Sequence, residues 1–417
     1  MTARFGAPDA AVVGAAVVVF LGLGCGATEA AALSWPSELV AMNRAEDAHG
    51  AGGEPQPALV ASVGLLPAGA AAWELRDGPV LDACGMGHEV LHQAAALLAE
   101  QNVEGRSQWS MLELRQYLGD RGFAHPHGEA LTLRAMSIDR QAAARQVRSW
   151  VASLPAASAR YCGVASAQDS EAGERLTVVT APVRARFARP VGSVVSVGAW
   201  LTVAAVLEPR ASGGDVVVLG PVGAPRTLLK SFDPASRLLT ARVMADRAGI
   251  WRIQVLGDYG EGPWPVLEAL VRAGELEQDA LPATPGCDAG AGMADDEALL
   301  YKLNAARTSA GLAPLVRSHT LDRLAQQHTL DMLRQGRLQH DTGQGSPQSR
   351  AASAGLTASE VGENVTRAKT PTLAHQALWS SLSHRKNMLH PRYRHVGIGA
   401  ARDERGDLWA TLLFSGP

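Results

Sequence analysis

The sequence WSSLSHRKNMLHPRYRHVGIG, which spans Trp379–Gly399, holds the clearest information about the fold of this chain. Its last four residues, Val396–Gly399, alternate larger apolar side chains with glycine, which is typical of a half-buried strand. A second run with strand character follows from Leu408 to Phe414. Two strands are therefore predicted to close this part of the chain.

Upstream of these strands the apolar residues recur with a helical period. One stripe consists of Leu299, Leu300, Leu303 and Ala306, and a second consists of Leu321, Leu324, Ala325, His328 and Met332. Asp or Ser stands where each helix would need a cap. Helices that flank a small sheet, an α+β fold with α-β-α layers, are therefore expected for residues 295–417.

Several motifs of this region resemble bacterial domains of the CAP/SCP-like superfamily. They occur in the family order and are Leu303-Asn304-Ala305-Ala306-Arg307, Gly311-Leu312, Leu338-Gln339-His340, Gly362-Glu363-Asn364-Val365, Trp379, His384–Leu389 and Val396–Gly399. Many motifs in the right order are much more specific than any single one. The resemblance covers essentially all of residues 295–417 and implies a CAP α-β-α sandwich.

The resemblance also implies a polar cleft. Two histidines and two glutamates line it in the family, and His340, His384 and Glu363 match three of these positions, with Asn364 beside them. The second glutamate would fall at Leu382 and is absent. The three groups could bind zinc or another divalent metal with an open water position, or act as a general acid and base. Alternatively, Glu363 only accepts hydrogen bonds that hold its loop.

The remaining histidines of this region match no family position and are interpreted as surface or packing residues. They are His319, His328, His375, His390 and His395.

Residues 37–182 resemble a degenerate copy of the same domain. The aligned pairs are Ala94 with Ala325, Trp109 with His340, Gly122 with Gly355, Gly128-Glu129 with Gly362-Glu363, Trp150 with Trp379, and Cys162–Ala165 with Val396–Gly399. This copy would keep the helix-and-sheet topology and lose the chemistry, with Trp109 buried near Glu129. A chance alignment is the alternative.

One motif in this first region suggests different chemistry. His88-Glu89-Val90-Leu91-His92 has the HExxH pattern, which on a helix presents two zinc ligands one turn apart beside a general base. Glu100, Glu104 and Glu113 are equivalent candidates for the third ligand. The alternative is the polar start of a helix.

The region 186–280 has the pattern of a β-sandwich. Trp251, Ile253 and Val255 alternate with polar residues, and similar short runs are separated by Gly, Asp and Pro. Several such strands at regular spacing predict an Ig-like sandwich that serves as a spacer or binding module. Residues 281–292, rich in Ala, Pro and Gly, are predicted to be a linker.

The first residues indicate export. An apolar run from Ala10 to Leu23 is too short to span a bilayer and predicts a signal peptide over residues 1–25. Cys25 resembles the cysteine of a bacterial lipobox, although Gly22 stands where that motif has leucine. Two outcomes remain open: lipidation of Cys25, or ordinary cleavage nearby, at Ala27 or Ala30.

The other cysteines, Cys84, Cys162 and Cys287, are odd in number. In an oxidising compartment the simplest arrangement is one pair and one free thiol. In the degenerate copy Cys84 would open the helical part and Cys162 the closing strand. These two are therefore expected to pair, and Cys287 is expected to be free.

The composition limits the classes of function. With 417 residues and 47% hydrophobic residues the chain can bury several cores, and its net charge of −3 makes nucleic acid an unfavourable partner. The expected protein is a secreted or cell-envelope protein that binds a lipid, peptide or cell-envelope ligand. Membrane contact is expected only through a lipid anchor. The alternatives are a zinc-dependent hydrolase using His88, Glu89 and His92, and a structural adhesion protein.

Overall fold

The structure, a computed structural model, describes residues 71–101, 111–169, 173–260, 262–275, 284–288, 290 and 292–417. It contains three successive regions: the first block (71–183), the central sandwich (185–273) and the C-terminal domain (295–415). No helix within these ranges is long and apolar enough to cross a membrane. The predicted signal peptide with Cys25, and also Glu104 and Trp109, lie outside the described residues.

The first block consists of helices on both faces of a small sheet. Its elements are α1 (Ala71–Cys84), β1 (Met86–Gly87), α2 (Glu89–Gln101), α3 (Met111–Asp120), β2 (Glu129–Ala135), α4 (Arg140–Ser153), β3 (Ala159–Asp169) and β4 (Gly173–Val183). The strand order is β1-β3-β4-β2, with β1 parallel to β3 and the other pairs antiparallel. Alternate residues of the strands supply two cores, since Val178 packs with α1 and α4 while Val179 packs with α2 and α3.

A disulfide ties the first helix of this block to its sheet. Cys84 ends α1 and Cys162 lies in β3, with their Cα atoms 6.0 Å apart. Both side chains are buried in the core formed by α1, α4 and the sheet. The bridge therefore crosses one of the two cores of the first block and closes a long segment of chain.

Removing this bridge with Cys84→Ala and Cys162→Ala is expected to destabilise the first block by about 2–4 kcal/mol, because the unfolded chain regains the freedom of a long closed loop. Urea unfolding of the full chain measures the loss. The C-terminal domain does not contain the bridge, so its transition serves as the internal control. Equal stability of the first block with and without the bridge would contradict this expectation.

Cys287 is not free, and this part of the sequence interpretation is wrong. It is disulfide-bonded, and its side chain is only 5% exposed. The end of the predicted linker folds onto the C-terminal domain: the carbonyl of Cys287 accepts a hydrogen bond from Lys302 Nζ at 2.5 Å, and the carbonyl of Pro285 accepts one from His375 Nε2 at 2.8 Å. Composition alone indicated a tether and could not reveal these contacts.

The central sandwich consists of two sheets that share one core. Its strands are β5 (Ala185–Phe187), β6 (Val194–Val195), β7 (Trp200–Leu207), β8 (Gly213–Leu219), β9 (Arg226–Thr227), β10 (Lys230–Asp233), β11 (Leu238–Met244), β12 (Gly249–Asp258) and β13 (Pro263–Ala273). One sheet has the order β10-β11-β7-β5 and the other β6-β13-β12-β8-β9. Trp251, Ile253 and Val255 face the shared core, as their alternation predicts.

The C-terminal domain has the same strand order as the first block. Its elements are α5 (Asp295–Ser309), β14 (Val316–Arg317), α6 (His319–Gln335), α7 (Pro347–Ser353), β15 (Val361–Ala368), α8 (Pro371–Ser380), α9 (Leu382–Met388), β16 (His395–Arg402) and β17 (Leu408–Ser415). The sheet order is β14-β16-β17-β15, again with one parallel pair, β14 with β16. This sheet positions the candidate site.

The contact between helix and sheet also matches in the two regions. The N–H of His88 donates to the carbonyl of Cys162 at 2.9 Å, and the N–H of Ser318 donates to that of Val396 at 2.9 Å. One residue further along each strand is a glycine. A Cβ there would come within 2.0 Å of the backbone of α2 in the first block and 2.1 Å of α6 in the C-terminal domain. In both regions, glycine is what allows the helix to approach the sheet so closely.

Candidate functional site

The buried carboxylate of Glu363 is the centre of the site. Strand β15 places this residue opposite Leu413, well inside the sheet, and leaves the side chain 1% exposed. The preceding Gly362 lies under the ring of Tyr393, where a Cβ would come within 2.3 Å of the hydroxyl. The Gly-Glu sequence is thus explained locally: the glycine makes room for Tyr393 and the next residue faces the helices.

Two side chains donate hydrogen bonds to this carboxylate. Arg350, from α7, donates to Oε2 at 2.6 Å, and His340 Nδ1 donates to Oε1 at 2.9 Å. His328 Nε2 lies 3.5 Å from Oε1. Burial alone would raise the pKa of Glu363. The hydrogen bond from His340 and the charges of His340, Arg350 and His328 together lower it by more than burial raises it. The net pKa is below its usual value, so the group is ionised at neutral pH.

His340 is held at both its side chain and its backbone. Its ring donates through Nδ1 to Glu363, and its carbonyl accepts a hydrogen bond from Arg350 at 3.2 Å. The preceding carbonyl, of Gln339, accepts a hydrogen bond from His328 Nε2 at 2.9 Å. Because Nδ1 carries the proton of this bond, Nε2 is the atom with the lone pair in the neutral form of the ring. The side chain remains 13% exposed.

His384 reaches the same site from helix α9. The amide of Asn364 donates to the carbonyl of His384 at 3.0 Å, and the amide of Asn387 donates to the side chain of Asn364 at 2.9 Å and to the carbonyl of Glu363 at 3.2 Å. These bonds attach α9 to β15 and bring His384 near His340. We call the group His340, Glu363, Asn364 and His384 the His/Glu cleft.

The pKa of His384 is lowered to about 3, first by burial and then by the neighbouring charges of His340, Arg115 and His127. The residue is half-buried and keeps some accessible surface. His384 is therefore neutral at physiological pH. Two of the charges that act on it, Arg115 and His127, belong to the first block, so the site extends across regions of the chain.

The first block and the central sandwich cover the His/Glu cleft. His127 Nε2 donates to the carbonyl of Pro265 at 3.0 Å, and its ring packs against that of Trp264 at a tilt of 35°, with centroids 4.9 Å apart. Beside them, Gly262 lies against the His340 ring, where a Cβ would come within 3.0 Å of Cδ2. The loop that leads into β13 is thus a direct neighbour of the cleft from outside the C-terminal domain.

Polar contacts connect all three regions beside the cleft. Arg115 on α3 makes an ion pair with Glu268 on β13. The carboxylate of Glu268 also accepts a hydrogen bond from Gln254 Nε2 at 2.6 Å. The same Gln254 side chain accepts a hydrogen bond from the N–H of Ser383 on α9 at 2.9 Å. An apolar contact lies alongside, in which Leu382 packs against Val217, Leu219 and Leu256 of the sandwich.

The residues predicted as metal ligands do not fit a three-ligand metal site. Both oxygens of Glu363 are already occupied by N–H donors from His340 and Arg350, and a cation bound there would lie against the guanidinium. Leu382 offers no carboxylate to replace it. Across the described part of the chain, no group of three or more His, Cys, Asp or Glu side chains could hold a metal ion.

The HExxH motif does not form a zinc site of the metallopeptidase type among the described residues. Helix α2 begins at Glu89, so His88 precedes it, and His92 Nδ1 accepts a hydrogen bond from the N–H of Val164 at 3.0 Å. In the C-terminal domain, the side chain of Asp322 accepts the equivalent hydrogen bond from the N–H of Ile398, at 2.9 Å. His92 therefore attaches a helix to a strand. Glu89 is exposed and accepts a hydrogen bond from Gln93, and Glu100 is exposed as well.

Strand register corrects one residue pair of the sequence alignment. In the first block, Val179 pairs with Ala130 on one neighbouring strand and with Gly163 on the other. In the C-terminal domain, Leu413 pairs in the same way with Glu363 and with Gly397. Ala130, and not Glu129, is therefore the counterpart of Glu363. Glu129 faces the opposite side of the sheet, so it cannot serve as a copy of the cleft glutamate.

Two residues of the site were missed by sequence analysis. Arg350 stands in a short helix with no pattern that marks a buried cation, and nothing in the sequence identified it. His328 was interpreted as a surface or packing residue, although it belongs to the apolar stripe of α6 and is only 1% exposed. A polar residue within an apolar stripe was the available signal, because a buried imidazole needs partners.

Comparison with known proteins agrees with the geometry of the C-terminal domain. Residues 300–414 match the model of the CAP family, described as the cysteine-rich secretory protein family. The chain is 35% identical over 115 residues to the uncharacterized protein YkwD of Bacillus subtilis (strain 168), an alignment that covers 27% of this chain and 44% of YkwD. The chain thus spans less than half the length of this curated relative.

Among solved structures, similar chains carry an SCP domain or the name of the same family. An extracellular protein containing a SCP domain from Bacillus anthracis str. Ames is 19% identical, with TM-score 0.27 and coverage of 55% of this chain and 69% of that chain. A cysteine-rich secretory protein from Staphylococcus aureus is 15% identical, with TM-score 0.25 and coverage of 52% and 76%. By its family match and its similarity to YkwD, the C-terminal part of this chain is a bacterial-type CAP domain of the cysteine-rich secretory protein family.

Proposed function

We propose that this chain is an exported protein that binds a peptide-type ligand of the cell envelope in the His/Glu cleft, and that it is a binding protein rather than an enzyme. The observation that carries the proposal is the buried ion pair between Arg350, 7% exposed, and Glu363, 1% exposed. Burying such a pair contributes little to stability compared with apolar residues of similar size. Its use is to hold the ring of His340 in one orientation, with Nδ1 towards Glu363.

A peptide fits this cleft better than a lipid does. The cleft presents two imidazoles, which make hydrogen bonds with peptide groups, whereas an acyl chain requires an apolar cavity. In this structure peptide backbone of the same chain, at Gly262, also lies directly against the His340 ring. A divalent metal is not part of the proposal, because Arg350 and His340 already occupy the Glu363 oxygens.

We also propose that the first block is a degenerate CAP-like domain, so that the chain carries a tandem pair. The shared strand order, the parallel short strand and the matching hydrogen bonds of His92 and Asp322 support this relationship. The counterpart of Glu363 is Ala130. This copy therefore acts as a scaffold without the chemistry of the cleft.

The central sandwich is proposed to be Ig-like. Its strands β5, β7, β11 and β10 have the order of an ABED sheet, and β8, β12 and β13 that of a CFG sheet. In this chain the sandwich lies against the His/Glu cleft. We therefore propose that it covers the cleft and is not a free adhesion module.

Export is supported by the sequence and by the cysteines. The apolar run at the N-terminus is proposed to be a signal peptide. Lipidation of Cys25 is not part of the proposal, because Cys84 and Cys162 bond each other and Cys287 is also disulfide-bonded. The disulfide between Cys84 and Cys162 is typical of an oxidising compartment. The relatives from Bacillus anthracis and Staphylococcus aureus are described as extracellular and secretory.

Isothermal titration calorimetry on the full chain tests the binding proposal with three probes: a synthetic peptide with the sequence of residues 258–267, phosphatidylglycerol vesicles, and soluble peptidoglycan fragments. The peptide is expected to bind, and His340→Ala to weaken its binding about tenfold or more, the effect of losing one good hydrogen bond. His319→Ala is the matched control, because His319 is 99% exposed in the same domain.

Binding to vesicles alone would assign the cleft to lipids instead. Binding that His340→Ala leaves unchanged would contradict the proposal for every probe. So would the absence of binding to all three probes, in the natural chain and in the Leu382 variant described below.

A further inference from the structure

The position of the missing family glutamate is occupied by an apolar contact between domains. Leu382 is 1% exposed and packs against Val217, Leu219 and Leu256 of the central sandwich. A carboxylate at this position would be buried against three apolar side chains, at a cost of several kcal/mol or a shift to its neutral form. The departure from the family pattern and the docking of the sandwich are thus parts of one feature.

Gly262 fits the same arrangement. Its φ of +107° favours glycine, and a Cβ would come within 3.0–3.2 Å of three atoms of His340. Only a residue without a side chain lets this backbone lie flat on the imidazole. Gly262 in the loop and Leu382 on α9 therefore both favour contact between the sandwich and the C-terminal domain.

The charged groups at this interface are paired across it. Burial alone would raise the pKa of Glu268, but Arg115 and Arg252 lower it by more than burial raises it. The ion pair with Arg115 therefore persists at neutral pH. The guanidinium of Arg252 in turn donates to the carbonyl of Ser380 at 2.9 Å. These contacts are directional and specific, as expected for an evolved contact between domains.

The apolar part of the interface is nevertheless small. In the one buried apolar cluster that joins these two domains among the described residues, Leu382 comes from the C-terminal domain and meets three side chains of the sandwich, whereas each domain has a large separate core. Contacts of this kind between domains of one chain generally allow relative motion. Release of the contact does not require either domain to unfold.

We propose that the first block and the central sandwich form a built-in cover over the His/Glu cleft, and that a ligand reaches His340 and His384 only when this cover is released. The inference rests on the proposed function. It also defines the ligand more closely: the covering backbone has Gly262, with φ of +107°, followed by Pro263 at the start of β13, so a peptide with glycine at that point is the class that replaces it.

The test measures histidine accessibility in the full chain by reaction with diethyl pyrocarbonate, followed by mass spectrometry. In the natural protein His384 should react at least about tenfold more slowly than the exposed His319, because the cover restricts access of the reagent to its half-buried ring. Leu382→Glu, which buries a charge in the interface, should raise the rate of His384 about tenfold or more. His328, 1% exposed inside the C-terminal domain, must stay protected, which shows that the domain remains folded.

Arg115→Ala is the second variant, since it weakens the cover from the first block without touching the C-terminal domain. It should raise the rate of His384 in the same direction, while Arg121→Ala on the same block serves as the control. Equal reactivity of His384 in the natural chain, in Leu382→Glu and in Arg115→Ala would overturn the cover. So would reaction of His384 as fast as His319 in the natural chain.

Peptide binding distinguishes a failure of the cover from a failure of the proposed function. If the cover and the function are both right, Leu382→Glu binds the 258–267 peptide about tenfold more tightly, because a competing internal segment no longer occupies the cleft. If His384 becomes reactive but no peptide binds, the cover stands and the proposed function fails. If the peptide binds equally to both proteins and the reactivity is unchanged, the cover fails and the function stands.

Discussion

Replacing Glu363 with glutamine is expected to lower the free energy of unfolding of the C-terminal domain by about 3–5 kcal/mol. The amide keeps the shape of the side chain but leaves the Arg350 guanidinium buried without a counter-charge. It also removes the ionised acceptor that orients His340. Urea unfolding of the full chain, followed through the transition of this domain, measures the effect.

Glu404→Gln provides the matched control, because it removes the same charge from an exposed position of the same domain. That variant should change stability by less than about 0.5 kcal/mol, as surface substitutions usually do. A cost for Glu363→Gln as small as for Glu404→Gln would mean that Arg350 and Glu363 are not a buried pair.

Acid is expected to destabilise the protein strongly through two buried histidines, His125 and His375. Burial is the largest cause in each case and lowers the pKa from 6.5 to about 4. Between about pH 4 and pH 6.5 the unfolded chain therefore binds more protons than the folded chain. The contribution to stability is complete above pH 6.5 and is lost as the pH falls towards 4. Each group contributes about 1.4 kcal/mol per pH unit, so from pH 6.5 to 4.5 the pair costs about 5 kcal/mol.

Urea unfolding at several pH values measures this loss. His375→Gln should reduce the loss by the share of one such histidine, about 2–3 kcal/mol over this range, since glutamine can still donate to the carbonyl of Pro285 and does not titrate. His319→Gln should leave the profile unchanged, because that side chain is 99% exposed. If His375→Gln kept the full acid sensitivity, the buried neutral state of His375 would be ruled out.

The C-terminal domain was largely predictable from sequence because its motifs are dense. Gly362-Glu363-Asn364 and the run that begins at His384 each carry a local constraint, such as the close approach of Gly362 to Tyr393. Helical stripes and alternating strands then gave the layers of the domain. The convergence of His340 with Glu363 followed from the resemblance, since sequence distance alone says nothing about which loops meet.

Other features depend on contacts that no local pattern encodes. Arg350 is a cation in a short helix, and only the folded chain brings it to Glu363. The substitution at Leu382 looked like the loss of a ligand, and its partners lie in another domain. Cys287 seemed free because its linker was treated as an exposed tether. In each case the deciding neighbour is distant in sequence.

The first block illustrates a different limit. The similarity to the C-terminal domain was visible, but the alignment of Glu129 with Glu363 was wrong by one residue. Side chains alternate between the faces of a strand, so a shift of one residue moves a carboxylate from one face to the other. Strand pairing resolves such a shift, and spacing in a gapped alignment does not.

Cysteine cross-linking between the loop and the cleft tests the cover over the His/Glu cleft most directly. A Cβ at position 262 would lie 3.1 Å from Cβ of His340, near the separation of about 3.5–4.5 Å found in disulfides. The full chain with Gly262→Cys and His340→Cys is therefore predicted to form this bridge on mild oxidation. Gly260→Cys with His340→Cys is the control, since position 260 has a similarly positive φ but meets no atom within 4 Å. A bridge in the first protein and not in the second is the result that we predict, and equal cross-linking in both, or none in either, would contradict a cleft closed by its own chain.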